Sequence, residues 1–181
     1  MRKHFVVTAA LVLVSGMGVF GVLSQTAHGD DTVITDDQIQ VIKSRCTDIQ
    51  ATLNQLHQND ALLRVNRGAV YQAISDKLMV PLNQRIASNQ LDGGDLVKIT
   101  AEYNGAYQQF YNAFKDYDTS LTSAMGIDCT KQPTTFYSQL NDARSKRLAL
   151  QVANQRLVQL ATSYKTTFDQ IKSRLAQGTG Q

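Results

Sequence analysis

Apolar residues recur at alternating intervals of three and four positions from residue 39 onward, and this heptad spacing constrains the fold more than any other feature. The first run is Ile39, Ile42, Cys46, Ile49, Leu53, Leu56 and, after a polar gap, Leu63. No stretch alternates apolar and polar residues at a period of two, so β-strands are not expected. The spacing predicts long amphipathic helices, each of which buries one apolar stripe.

Capping and turn residues divide this pattern into three helices of about 36–92, 95–125 and 133–176. Thr35 can cap the first helix with its side chain, and the Gly93–Gly94 pair ends it. In the second half of the first helix the predicted stripe drifts through Leu62, Val65, Ala69, Ile74, Leu78, Leu82 and Ile86.

The connections between these helices are short, which makes sequential helices antiparallel. We therefore expect an all-α fold, an elongated antiparallel three-helix bundle of coiled-coil type over residues 36–176. Pro81 lacks an amide proton and should kink or briefly break the first helix near its far end. Residues 30–35 would form a short linker, and residues 177–181 a disordered tail.

The first 29 residues have the order of an export signal. Arg2 and Lys3 precede an uncharged apolar run over 5–24, and small residues follow at 26–29. The run is long enough to span a bilayer, whereas its glycines and two small-residue cleavage frames suit a signal peptide. Segment 1–29 is thus either a cleaved signal peptide or an N-terminal apolar helix that anchors the chain. Both alternatives predict an extracytoplasmic protein, secreted or held at the membrane.

The net charge of +3 does not indicate a nucleic-acid partner. Without Arg2 and Lys3, which belong to the export segment, the chain has 16 basic and 15 acidic residues. The basic residues are scattered singly, so no basic patch is expected.

Cys46 and Cys129 are the two cysteines of the chain. In an exported protein an even pair favours one intramolecular disulfide; buried free thiols and intermolecular bridges are the alternatives. A bond between them would join the base of the first helix to the loop after the second. No metal site or cofactor is expected, because His57 is the single histidine after residue 29.

Polar residues interrupt the apolar stripes at Asp60, Arg67, Arg147 and Asn154. A polar layer that fixes helix register is the simplest interpretation, and level helices would place Asp60 near residues 154–156. A buried catalytic carboxylate is the alternative, with His57 as its nearest histidine. No second carboxylate or histidine stands at helical spacing to complete such a site.

The second helix carries a run of aromatic residues that could be a core seam or a ligand groove. Its members are Tyr103, Tyr107, Phe110, Tyr111, Phe114 and Tyr117. Their spacing is that of a buried stripe, with Tyr111 at its exposed edge.

The Asp92–Asp95 turn could hold a cation, but it has fewer oxygen ligands than a calcium loop and is explained by turn chemistry.

Three segments carry a resemblance to a known group of proteins: residues 56–66, with the string LHQNDALLRVN, residues 91–96, with LDGGDL, and residues 127–129, with IDC. Through these the chain resembles uncharacterised exported helical proteins of Saccharibacteria-type bacteria. The resemblance implies an exported helical protein and carries no activity or functional residue.

Taken together, these features favour a protein that is not an enzyme and has no cofactor. The expected function is that of an extracytoplasmic scaffold, spacer or protein-binding module at the cell envelope, with an unidentified protein partner and with membrane attachment if segment 1–29 is kept. The alternative is a small-ligand carrier or enzyme that uses the aromatic run or the Asp60 layer. A weaker third idea is homo-oligomerisation, because Leu62, Leu63, Leu148 and Leu150 broaden the apolar stripes.

Overall fold

The computed structural model describes residues 34–178, and in this part of the chain every regular element is a helix. The elements are α1 (Asp36–Ser44), α2 (Cys46–Ala73), a π-helical segment (Ile74–Met79), α3 (Val80–Ser88), α4 (Gly94–Met125) and α5 (Pro133–Gly178). The all-α prediction is confirmed. The predicted export segment 1–29 lies outside the described residues, as do positions 30–33 and 179–181.

The predicted start of the first helix is formed by a capping box. The Thr35 side chain accepts a hydrogen bond from the Gln38 amide at 3.3 Å, and the Gln38 side chain accepts one from the Thr35 amide at 3.0 Å. The α-helical geometry is interrupted at Arg45, which separates α1 from α2. The predicted single helix is therefore divided at this residue.

Near Pro81 the helix widens into the π-helical segment, which ends at Met79, two residues before the proline. Pro81 has no amide to bond to the carbonyl of Lys77, four residues earlier, and its ring crowds that carbonyl. The Val80 amide bonds instead to Ser75, five residues earlier, which is the π-helical pattern. The helical elements thus continue through Pro81 without the break that was the other expected outcome.

The Cys46–Cys129 disulfide joins the first residue of α2 to the loop between α4 and α5, with a Cα–Cα distance of 5.6 Å. This is the intramolecular alternative expected from the sequence. Next to it, the Gln50 side-chain amide donates to the Ile127 carbonyl oxygen at 3.0 Å. The disulfide and this bond hold the loop against the start of α2.

Two clusters of buried apolar residues form the core. The first consists of Met79, Ile86, Leu96, Tyr103, Ala106, Phe110, Leu157, Leu160, Tyr164 and Ile171. The second, beside the disulfide, consists of Leu53, Phe114, Tyr117, Leu121, Cys129, Phe136 and Ala143. Leu150 packs against both clusters and connects them. The pairing of α4 with α5 is the most extensive in the described chain, and α2 packs mainly on α4.

The stripe predicted for the second half of the first helix is wrong in the middle of α2. Val65 is 61 % exposed, and Leu62 and Leu78 also face solvent. The half-buried positions there are instead Asp60, Arg64 and Tyr71, because polar partners on α4 and α5 satisfy the first and last of these side chains.

Among the helices of residues 34–178, none combines the length and the apolar character that a membrane-spanning helix needs.

Candidate functional site

An open groove runs between α1 and α2 on one side and α5 on the other, and α4 lines two of its three cavities. Three adjacent cavities form it: an end cavity of about 370 Å³, a middle cavity of about 320 Å³ and a smaller one of about 210 Å³, which we call the arginine cavity. Arg144 lines the first two and Arg147 the last two. Because neighbouring cavities share wall residues, we treat them as one surface, the α2–α5 groove.

The walls of the α2–α5 groove are apolar, and its charged residues are mainly basic. The apolar lining includes Val41, Ile42, Ile49, Leu53, Leu56, Leu63, Phe136, Leu140, Ala143 and Leu150. The charged lining consists of Arg45, Arg64, Arg67, Arg144 and Arg147 with Asp37, Asp48 and Asp60. Five arginines against three aspartates give the groove a net positive charge.

Asp60 is the polar centre of the groove and links three helices. Its carboxylate accepts a hydrogen bond from the Tyr117 hydroxyl of α4 at 2.6 Å and lies 3.3 Å from the Arg147 guanidinium of α5. Burial raises the pKa of Tyr117, and the hydrogen bond to Asp60 raises it further, so the hydroxyl stays a donor. Asp60 is thus fully engaged in holding α2, α4 and α5 together.

The register of this polar layer differs from the prediction. Asp60 lies opposite Arg147, one heptad before the expected Asn154–Arg156 region. Asn154 instead accepts a hydrogen bond from the Tyr71 hydroxyl, and Arg156 pairs with Glu102 at 3.0 Å. The expectation of level helices fails because α5 starts from a loop that the disulfide fixes to the start of α2, some ten residues after Thr35.

His57 does not pair with Asp60, which sits on the same helix. Its Nε2 atom lies 3.0 Å from Asp118 of α4, and both side chains are partly exposed. The two groups therefore form a bridge between α2 and α4 at the surface. The acid–base pair considered from the sequence is not assembled.

Arg64 lies in the arginine cavity, and the sequence-based reasoning missed it. Its guanidinium carbon stands 5.0 Å from the centre of the Phe114 ring, a distance typical of a cation–π contact. Its Nε atom is buried and has no hydrogen-bond partner within residues 34–178. The seven-residue spacing of His57, Arg64 and Tyr71, all of which are half-buried, was the available signal for an inward-facing row of polar residues.

A second set of polar side-chain contacts links the helices near the π-helical segment. The Tyr164 hydroxyl lies 2.8 Å from the Asn83 side-chain oxygen, and the Asn83 amide donates to the Thr100 hydroxyl at 2.8 Å. Nearby, the Ser75 hydroxyl of the π-helical segment donates to Asn104 at 2.6 Å. These bonds give the irregular helix turn a structural role, since they satisfy polar groups that would otherwise be buried unpaired.

The aromatic run of α4 is mostly core. Tyr103, Phe110, Phe114 and Tyr117 are buried, and Tyr111 is 49 % exposed, as the spacing predicted. Burial raises the pKa of Tyr103 to about 12. Phe110 and Phe114 also line the arginine cavity, so the run contributes a wall to the groove and is not itself a groove.

The Asp92–Asp95 turn is explained by its own backbone. Asp92 accepts a hydrogen bond from the Gly94 amide at 3.3 Å.

Among residues 34–178, no group of three or more His, Cys, Asp and Glu side chains is placed to hold a metal ion. Comparisons of the chain with protein-family models, with curated proteins and with solved structures find no match.

Proposed function

We propose that this chain is a non-enzymatic extracytoplasmic helical protein that binds a partner at the cell envelope. In this proposal the helices form an elongated antiparallel three-helix bundle of coiled-coil type, which segment 1–29 directs out of the cytoplasm. The observation that carries the proposal is the α2–α5 groove, which combines apolar walls with an excess of arginine. The Cys46–Cys129 disulfide also suits an oxidising compartment.

The occupant that fits this groove is an amphipathic helix with acidic residues beside its apolar stripe. Along the uninterrupted α5 wall the groove runs from Phe136 to Asn154, which is 18 residues or about 27 Å of helix. A helix can lay its apolar face between two others in such a groove. The arginines at the rim favour an acidic partner through charge complementarity.

A designed peptide of about 18 residues tests this proposal, since that length matches the α5 wall of the groove. It carries leucine at the heptad core positions and glutamate on both flanks, and its control replaces each glutamate with lysine. We expect the acidic peptide to shift the NMR amide signals of Thr52, Leu56 and Arg144, and the lysine peptide to bind at least about tenfold more weakly. Equal binding of the two peptides, or binding of neither, would overturn the groove assignment.

A pair of variants locates the peptide. Leu56→Glu places a charge in the middle cavity and should abolish peptide binding, whereas Gln72→Glu adds the same charge at an exposed position outside the groove and should not. Circular dichroism of both variants establishes that they are folded. Unchanged binding by Leu56→Glu would place the peptide elsewhere.

Export is tested separately by sequencing the N-terminus of the mature protein from its native host. A start after residue 24 or 29 would support a secreted protein, and a start at residue 1 or 2 in the membrane fraction would support an anchored one. An intact chain in the cytoplasm would contradict the proposed location.

A small-ligand carrier is the second candidate, and the arginine cavity beside Asp60 is the observation that favours it.

A further inference from the structure

The arginine cavity has the composition of a binding site for a small amphiphilic anion. It lies between α2, α4 and α5 and measures about 210 Å³. Its apolar wall is formed by Leu63, Phe110, Phe114 and Leu150. Its polar wall is formed by Asp60, Arg64, Arg67, Arg147, Gln151 and Asn154.

The positive charge of this cavity is not balanced by its own lining. Asp60 is the one acidic residue among the described residues that line it. That carboxylate is already bound by Arg147 and by the Tyr117 hydroxyl. The guanidinium groups of Arg64 and Arg67 therefore have no acidic counterpart in the cavity wall.

Arg64 provides a second indication of a binding site. Buried hydrogen-bond donors in native proteins almost always have a partner, yet the Nε–H of Arg64 has none among residues 34–178. The guanidinium is held in place by its contact with the Phe114 ring. A half-buried guanidinium that lines an open cavity and has no acidic partner there is suited to bind an anion from solvent.

We propose that the arginine cavity binds a carboxylate carried on a small apolar body. The planar fork of a guanidinium matches the two oxygens of a carboxylate, and the apolar body would lie against Phe110 and Leu150. A dry cavity of about 150 Å³ accommodates benzene, so the larger volume here leaves room for a ring and one carboxylate. The inference rests on the α2–α5 groove of the proposed function, because a glutamate side chain of a docked helix could supply the same carboxylate as a free small molecule.

Benzoate is the probe, and benzamide is its neutral control of the same shape. Titration of the full exported chain with benzoate should shift the side-chain Nε–H signal of Arg64 and the signals of Phe110 and Phe114, with a dissociation constant in the range of about 0.1–10 mM. Benzamide should bind at least about tenfold more weakly. Absence of shifts at about 50 mM benzoate, or equal binding of benzamide, would overturn the proposal.

Variants assign the binding to Arg64. Arg64→Gln should weaken benzoate binding at least about tenfold, and Arg64→Lys should weaken it less, because the charge is kept and the fork is lost. Arg144→Gln is the matched control, since it removes one charge from the same groove outside this cavity. If Arg64→Gln does not fold, the shift of the Arg64 Nε–H signal in the natural chain on titration with benzoate shows whether benzoate binds at Arg64. Equal losses in Arg64→Gln and Arg144→Gln would overturn the assignment.

Competition between benzoate and the acidic peptide distinguishes a free small molecule from a glutamate side chain as the source of the carboxylate. The same experiment tests the carboxylate site and the helix-binding groove as two separate proposals. Displacement of benzoate by the peptide, but not by its version with glutamine for glutamate, would assign the carboxylate to a partner's side chain. Benzoate binding without any peptide binding would favour a free ligand and would overturn the helix-binding proposal alone. Peptide binding without benzoate binding would overturn this site alone.

Discussion

The hydroxyl of Tyr117 on α4 donates a 2.6 Å hydrogen bond to the carboxylate of Asp60 on α2. The Asp60 side chain is 12 % exposed, so little water is available to replace this donor. The Arg147 guanidinium completes the group from α5 at 3.3 Å. Three helices are thus joined through one carboxylate.

Removal of the hydroxyl by Tyr117→Phe should lower the free energy of unfolding by about 1–3 kcal/mol, because hydrogen bonds to charged groups are stronger than neutral ones. Tyr111→Phe is the matched control: Tyr111 lies on the same helix and is half exposed, so its change should stay within about 0.5 kcal/mol. Urea unfolding followed by circular dichroism measures both. Equal effects of the two variants would contradict a stabilising role for the Tyr117–Asp60 bond.

The middle of α2 offers a direct comparison between the heptad pattern and the structure. Leu53 is 7 % exposed and Val65 is 61 % exposed, although the heptad pattern assigns both to the buried stripe. Leu53→Ala should therefore cost about 2–5 kcal/mol of unfolding free energy, and Val65→Ala no more than about 0.5 kcal/mol. Thermal or urea unfolding of the two variants decides. A large loss for Val65→Ala would show that the heptad pattern, and not the described packing, holds in this region.

That comparison also shows how far the sequence determines the fold. In α4 the spacing of the aromatic run identified buried residues well, from Tyr103 through Phe110 to Tyr117, because apolar side chains occupy nearly every inward position. In α2 between residues 57 and 73 the inward positions carry polar side chains such as Asp60 and Arg64, whose burial depends on partners from other helices. Hydropathy cannot identify such positions, since the partners come together only in the folded chain.

The candidate site was predictable in part for the same reason. Asp60 and Arg147 stood out because each interrupts an apolar stripe, and the structure brings these two together. Their pairing was not predicted, because the relative register of α2 and α5 depends on how the disulfide-linked loop positions the start of α5. Arg64 was missed because a lone arginine between leucines and valines looks like a solvent-facing residue.

The turn before α4 distinguishes two neighbouring glycines. A Cβ atom on Gly93 would lie 2.6 Å from the Cγ2 atom of Ile86, a buried and β-branched side chain that cannot easily move. Gly93→Ala should therefore destabilise the fold by about 1–3 kcal/mol. Gly94→Ala meets no atom closer than 3.7 Å at the first residue of α4 and should be neutral or stabilising by up to about 1 kcal/mol. Differential scanning calorimetry of the two variants tests this order, and the reverse order would contradict the described turn.

Alkaline pH should destabilise the chain through its buried tyrosines. Burial raises the pKa of Tyr103 from 10.0 to about 12 and raises those of Tyr117 and Tyr164. Between pH 10 and 12 the unfolded chain releases these protons while the folded chain keeps them, so stability present below pH 10 is lost as the pH rises. The loss should not exceed about 1.4 kcal/mol per tyrosine for each pH unit.

Urea unfolding at a series of pH values measures this slope. Tyr103→Phe should make it shallower, because one titrating group is removed, while exposed Tyr111→Phe should leave it unchanged. A slope that is the same in the natural chain and in Tyr103→Phe would contradict the assignment to Tyr103.

The disulfide joins Cys46 to Cys129, which lies 83 positions later in the chain. Its removal in the double variant Cys46→Ala, Cys129→Ala should lower the free energy of unfolding by up to about 4–5 kcal/mol, because the unfolded chain gains the freedom that the cross-link denied it. The control is the natural chain after full reduction under denaturing conditions, which should refold to the same lowered stability. Mass measurement without reductant comes first, since two free thiols in the exported protein would contradict the disulfide itself. If the bond is present but the double variant is as stable as the natural chain, the expected stabilisation through the unfolded state is wrong for this fold.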